Sequence, residues 1–301
     1  MPLNKYLKKL LPLYQKMGVS IIPNRYEDPV PNLSDFKDWD WEKESALPGL
    51  DLQVGKQIQL LEKFSKGYLP EFKQQPLDKT APKDVEQYYI TNPAYGAVDA
   101  AIYYGMIRHF KPKQIIEIGA GFSTLLACQA VVQNRKEKHP CELTAIEPYP
   151  SKTLREGVPG LAKLWEKNLQ DVPVVEFEKL GKNDILFIDS SHVLKIGSDV
   201  QYQILEILPR LKKGVLVHFH DIFFPFEYPE KLILKDFKFW NEQYLLQAFL
   251  AFNRDFEVLW AGYNMFKKNY SVIEKHFGEF FKDRDNPERF WRTVGFWIRR
   301  K

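Results

Sequence analysis

Gln114-Ile115-Ile116-Glu117-Ile118-Gly119-Ala120-Gly121-Phe122-Ser123-Thr124 is an apolar run that ends in an acidic residue, two glycines and two hydroxyl residues. The run Ile115 to Ile118 predicts a buried parallel strand, and Ser123 to Val132 predicts the helix that follows it. Glycine belongs between them for two reasons. A sharp turn from strand to helix needs backbone angles that a Cβ disfavours, and a ligand lying against the turn needs bare backbone.

Which nucleotide such a cradle takes follows from what it lacks. A dinucleotide fingerprint has a third glycine three residues after Gly121, where this chain has Thr124, so NAD is disfavoured. Glu117 stands two residues before the first glycine, at the carboxyl end of the strand. A carboxylate there repels a pyrophosphate and suits a cation. S-adenosylmethionine meets both conditions, with a sulfonium, an ammonium and a ribose but no phosphate.

These residues resemble the class I S-adenosylmethionine-dependent methyltransferases, and the resemblance runs from about Tyr88 onward. Glu117-x-Gly119-x-Gly121 is similar to their first motif. Asp-Ile-Leu-Phe-Ile-Asp-Ser-Ser-His at 184–192 and Gly-Val-Leu-Val-His-Phe-His-Asp-Ile-Phe at 214–223 resemble the fourth and fifth strands of members of that family. The resemblance implies an α/β fold: a Rossmann-like, doubly wound, mostly parallel seven-stranded sheet with an antiparallel last strand. It places the methyltransferase domain at 85–301, behind an N-terminal extension, 1–84, packed on the core. The segment before the first strand can close over the methionine end of the cofactor in this family, which makes Tyr95 and Asp99 candidates for that contact or for packing and capping a helix.

Composition is ordinary for a soluble globular protein. Of 301 residues, 45% are hydrophobic and 27% charged, and the 15% aromatic share clusters at Phe223–Phe226, Phe237–Trp240 and Phe290–Trp297. The net charge of +4 is small and its signs are interspersed, so no nucleic-acid partner follows. The nearest basic cluster, Lys5, Lys8 and Lys9, reads as a solvated helix face. Cys128 and Cys141 have no metal-ligand spacing and suit a reduced interior. The first residues form no long apolar core with a small-residue cleavage site, and no apolar run approaches the ~20 residues of a spanning helix. The expectation is a soluble, cytoplasmic protein with no membrane partner. The alternative is a membrane-surface or docking face of Tyr6, Leu10 and Leu13.

Along the chain, residues 18–48 are rich in Pro, Asn and Asp and carry Trp39 and Trp41, which suits an extended arm. Asp51–Phe64 has helical periodicity, and the whole extension is expected to shield an acceptor. Asp84–Phe110 is helix-like, broken at Asn92-Pro93. Leu143–Ile146 predicts a second strand ending in Glu147, where a carboxylate can accept both ribose hydroxyls, followed by Pro148 and Tyr149 facing an adenine. A third strand at Leu164–Lys167 would bring Asn168, Leu169 and Gln170 to the adenine edge. Asp184–Ile188 predicts the fourth strand and Ser198–Leu211 a helix capped by Ser198. Val215–Phe219 predicts the fifth strand. A helix at Asn241–Phe252, a strand at Phe256–Tyr263, a long connection and a strand at Thr293–Arg300 complete the chain. In an open parallel sheet, ligands bind beyond the carboxyl ends of the strands, so Glu117, Glu147, Asp189 and Asp221 are expected to line one rim.

The cofactor site expected from this pattern is Glu117, Gly119, Gly121, Ser123, Thr124, Glu147, Pro148, Tyr149, Asn168, Gln170 and Asp189. His192, with the ordinary imidazole pKa of about 6.5, is the candidate general base beside Asp189. Some metal-dependent O-methyltransferases of the resembled fold place acids at the same strand ends. By that likeness Asp189, His220 and Asp221 would hold Mg²⁺. In the metal-free alternative Asp189 only orients the cofactor, and His192, His218 and His220 bond backbone at loop entrances. The function expected is methyl transfer to an oxygen of a small-molecule acceptor. Its alternatives are a non-catalytic scaffold that keeps the fold and a nicotinamide-dependent oxidoreductase.

Overall fold

The structure, a computed structural model, describes residues 2–21, 25–27, 29–80, 86–281 and 292–301, with side chains left out for 2–8 and 279–281. Expectations for the side chains of Lys5, Tyr6 and Lys8, and for Phe290 and Trp291, lie outside the described residues. The helices are α1 (Pro2–Lys16), α2 (Val54–Gly67), α3 (Leu69–Phe72), α4 (Ala97–Phe110), α5 (Phe122–Lys136), α6 (Lys152–Glu156), α7 (Asp199–Tyr202), α8 (Glu230–Leu234), α9 (Glu242–Leu250), α10 (Gly262–Lys268) and α11 (Tyr270–Phe281). The strands are β1 (Gln114–Ile118), β2 (Glu142–Ile146), β3 (Leu161–Trp165), β4 (Ile185–Ile188), β5 (Leu216–Phe219), β6 (Phe256–Ala261) and β7 (Phe296–Arg300).

Two units are distinguished by their internal contacts: Met1–Lys43 with Tyr228–Phe239, and Glu44–Glu227 with Trp240–Lys301. Within the first, Asn32 caps a short 3-10 turn by accepting from the Ser34 amide at 3.2 Å. The rings of Phe36, Trp39 and Trp41 pack with centroids between 5.4 and 6.4 Å apart. Leu10 and Leu13 are exposed, and among the described residues no helix is long and apolar enough to cross a membrane.

The second unit is built on one sheet in the order β3-β2-β1-β4-β5-β7-β6. β1 pairs in parallel with β2 and β4, and β4 with β5, while β7 runs antiparallel to both β5 and β6. Every residue of β4 and β5 is buried, which is why these strands read as unbroken apolar runs. Helices α2 to α5 and α11 cover one face, and the segment 169–211 with α9 covers the other. The strand order reverses between β1 and β4, and a crevice opens at their carboxyl ends.

Several elements differ from the sequence expectation. Helix α4 begins only at Ala97, because the Asn92 side chain accepts from the Ala94 and Tyr95 amides and donates to the Tyr89 and Tyr95 carbonyls, closing a turn around Pro93. The helix expected at 198–211 is α7 followed by a π turn, Gln203–Ile207, and a 3-10 turn, Leu208–Arg210. β3 lies three residues before its expected start, and the long connection before β7 contains α10 and α11. Leu61, Phe64, Leu69 and Phe72 are buried against α4 in the second unit, so α2 and α3 contribute to its core.

Candidate active site

Backbone hydrogen bonds draw three strand ends together at the crevice. The Gly119 amide donates to the Ile146 carbonyl at 3.0 Å and the Asp189 amide to the Ile118 carbonyl at 2.9 Å. Gly119 has φ +82, and a Cβ there would lie 1.9 Å from the Asp189 carbonyl oxygen. Gly121 is different: nothing stands within 4 Å of a Cβ built on it. Its lack of a side chain answers no clash in the fold and instead leaves an open cradle at the start of α5.

Glu117 corrects an expectation. It does not stand on the rim but is fully buried, with Oε1 accepting from the Ser123 hydroxyl and Oε2 without a hydrogen-bond partner. Burial pushes its carboxyl up to about 8, against the lowering pull of the Ser123 and Thr124 hydroxyls. The two hydroxyls expected to face a cofactor are themselves buried. Thr124 accepts from the Gly121 amide at 3.0 Å as part of the helix cap, and Ser123 serves Glu117.

A cavity of about 450 Å³ opens outside these strand ends, lined by Gly119, Glu147, Pro148, Tyr149, Asn168, Gln170 and Asp189 among others. The Glu147 carboxylate is aimed by backbone: Oε2 accepts from the Ala120 amide at 3.2 Å and Oε1 from the Tyr149 amide at 2.9 Å. The Gln170 amide reaches across the cavity's far end to the Gly197 carbonyl at 2.8 Å, and Asn168 donates to Asp171 at 3.2 Å. Tyr149 is 85% exposed, free to lie over a ligand at the mouth.

Beyond Asp189 lies a knot of acids and imidazoles. Asp189, His220 and Asp221 bring one donor atom each within 4.8 Å of one another. His220 Nδ1 is 3.8 Å from Asp189 and 3.7 Å from Asp221, and its Nε2 is 3.7 Å from Asp99. Two of the non-glycine residues in the left-handed region lie here, His192 at φ +60 and Asp221 at φ +55, so the knot carries some backbone strain. Burial alone would raise the carboxyls of Asp189 and Asp221, but the neighbouring His220 and His192 outweigh it and hold both below the usual range.

His192 is not the free imidazole that its ordinary pKa suggested. Nε2 lies 3.3 Å from Asp189 and 3.6 Å from Asp221, and Nδ1 lies 2.9 Å from Glu242. Burial lowers its pKa, yet these carboxylates prevail and raise it to about 10. A ring held protonated between carboxylates has no lone pair with which to take a proton, and it acts instead as a charged clamp on Asp189 and Asp221. Glu242 in turn accepts from Gln203 in the π turn, and Gln203 accepts from the Ser190 hydroxyl at 3.2 Å. His218 takes no part. It is buried, stacked on Phe187 at 4.1 Å, and desolvation holds it neutral.

Residues 116–222 match a family described as a methyltransferase domain. An uncharacterized protein of Archaeoglobus fulgidus is 30% identical over 178 residues, 57% of this chain and 78% of the relative. The chain belongs to the class I methyltransferases. Among solved structures, a CmcI apo structure is similar at 13% identity, with a TM-score of 0.35 over 77% of this chain and 89% of that one. A cmcI structure with Mg and SAM is similar at 14% identity, with a TM-score of 0.35 over 90% of this chain and 96% of that one.

In this methyltransferase a second cavity, of about 220 Å³, lies on the other side of Asp189, walled by the Asn92-Pro93 turn, Asp99, His220, Asp221 and Arg292. Asp189 lines both cavities. Two residues of the knot were missed or misread in the sequence. Glu242, 50 residues from His192, reads only as an acid in the first turn of a helix. Asp99 was a candidate either for closing over a cofactor or for packing and capping a helix. Its carboxylate instead accepts from the Thr293 hydroxyl and from the amides of Val294 at 3.0 Å and Gly295 at 2.9 Å, tying α4 to the approach to β7.

Proposed function

We propose that this methyltransferase moves a methyl group from S-adenosylmethionine to an oxygen of a small-molecule acceptor, with a divalent cation held by Asp189, His220 and Asp221. The observation that carries the reading is the position of Asp189, which separates a nucleoside-sized cavity from a smaller one lined with acids and histidine. The cofactor fits the residues present. Glu147 is aimed to accept ribose hydroxyls, Gly121 leaves room against the helix start, and the orphaned Glu117 Oε2 is the acceptor a ligand ammonium would satisfy. When bound, the cofactor supplies an electrophilic methyl on a sulfonium.

The cation fits the donor set, two carboxylates and an imidazole whose donor atoms converge at a cavity wall. Burial lowers the His220 pKa, but Asp189 and Asp221 raise it well above the ordinary value, so the ring's proton would give way to the cation between them. Its contribution would be to lower the pKa of an acceptor hydroxyl. The chain's own residues do the rest: His192 holds the two carboxylates in place, and the smaller cavity positions the acceptor in line.

Glu147→Ala is expected to weaken S-adenosylmethionine binding by roughly tenfold to a hundredfold, the worth of hydrogen bonds to a charged group. Isothermal titration reads this directly, and unchanged affinity would remove Glu147 as the ribose ligand. Exhaustive chelation is expected to stop methyl transfer while leaving cofactor affinity in place, and full activity without a cation would remove the metal. Transfer of labelled methyl groups across a metabolite library names the acceptor, and products methylated only on nitrogen or carbon would overturn the choice of oxygen.

A further inference from the structure

We propose that Asp99 is a positioning residue for His220, holding the ring so that Nδ1 faces the cation shared with Asp189 and Asp221; this rests on the cation reading above. An imidazole offers a metal one lone pair only when its other nitrogen carries the proton, and the partner of that second nitrogen decides which is which. His220 has its two sides distinguished in this way. Nδ1 faces the carboxylates of Asp189 and Asp221, and Nε2 faces Asp99 Oδ2 at 3.7 Å.

The inventory of lone pairs makes the assignment specific. A carboxylate oxygen accepts about two hydrogen bonds. Asp99 Oδ1 already takes the Thr293 hydroxyl and the Gly295 amide, whereas Oδ2 takes only the Val294 amide. The oxygen with spare capacity is the one turned toward His220. The nitrogen it faces is buried and has no hydrogen-bond partner. An Asp that served only to tie α4 to residues 293–295 would need no such orientation. Because three donors pin Asp99, closing the gap to a hydrogen bond of roughly 2.9 Å falls to the ring, and tilting the ring toward Asp99 directs Nδ1 outward. His192, although held protonated, also has a carboxylate behind it, with Glu242 at 2.9 Å from its Nδ1. Each imidazole at the knot thus has a carboxylate at its back.

The test measures Mn²⁺ binding by electron paramagnetic resonance for the wild type and for Asp99→Asn, with S-adenosylmethionine affinity measured in parallel. The expected result is Mn²⁺ affinity lower by roughly tenfold to a hundredfold in the variant, with cofactor affinity unchanged. Independently of whether the variant folds, ¹⁵N-histidine NMR of the Mg²⁺-loaded wild type is expected to show the His220 proton on Nε2. Equal Mn²⁺ affinity in the two proteins, or the proton on Nδ1, overturns the role of Asp99 while leaving the cation in place. A wild type that binds no Mn²⁺ removes the cation itself, and Asp99's role with it.

Discussion

Gly119→Ala is expected to destabilise the fold by roughly 3–5 kcal/mol and to abolish cofactor binding, the largest effect of any single methyl group at the site. Two costs add. A non-glycine residue at φ +82 pays about 1–2 kcal/mol for the left-handed region. The new Cβ would also lie 1.9 Å from the Asp189 carbonyl oxygen and 3.0 Å from its carbon, so one backbone has to move. Neither can do so freely, since the Gly119 amide is bonded to Ile146 and the Asp189 amide to Ile118. Separating them opens the junction of β1, β2 and β4. Urea denaturation should show a lower midpoint with an unchanged slope. Gly121→Ala is the contrast: its Cβ meets nothing within 4 Å, so the midpoint should stay and only ligand affinity should fall. A wild-type midpoint for Gly119→Ala would show that the two strand ends are not in the contact described.

Glu117→Gln is expected to move stability and binding in opposite directions. The folded-state carboxyl titrates at about 8 against an ordinary 4.5, raised first by burial. A raised folded pKa means the folded state keeps a proton that the unfolded state gives up. The group's stabilising contribution is therefore whole below about pH 4.5 and is lost as pH rises toward 8. At about 1.4 kcal/mol per pH unit, the loss reaches on the order of 3 kcal/mol at pH 7. Glutamine cannot ionise, so the variant should match the wild type near pH 4 and exceed its stability at pH 7 and above. It should also bind S-adenosylmethionine at least tenfold more weakly, because an ammonium reaching the orphaned oxygen would displace the carboxyl proton and meet a carboxylate, which glutamine cannot become. Urea melts at several pH values and isothermal titration measure the two halves. If the variant keeps the wild-type slope between pH 5 and 8, Glu117 is not the titrating group.

Much of the scaffold was legible before any coordinates. The run from Ile115 to Ile118, the glycine turn after it and the strands ending at Asp189 and at His220-Asp221 are local patterns. Parallel topology then carries those ends to one side of the sheet, where Glu147 and Asp189 line the larger cavity and Asp189 and Asp221 the smaller. That Gly119, Glu147 to Tyr149, Asn168 and Gln170 share a cavity was likewise readable.

What the sequence alone determined is where polar residues emerge from apolar runs, because strand periodicity and glycine geometry depend on neighbours a few positions away. Tertiary structure alone decided what those residues are. Glu117 changes from a rim anion to a buried carboxyl because helix α5 closes over it. His192 changes from a candidate base to a charged clamp because Glu242 arrives from a helix 50 residues on. Asp99 becomes the backing of His220 only when residues 293–295, almost 200 positions away, pin its carboxylate. Charge state and hydrogen-bond capacity are set by every group within a few ångströms, and chain order does not say which distant elements those groups come from.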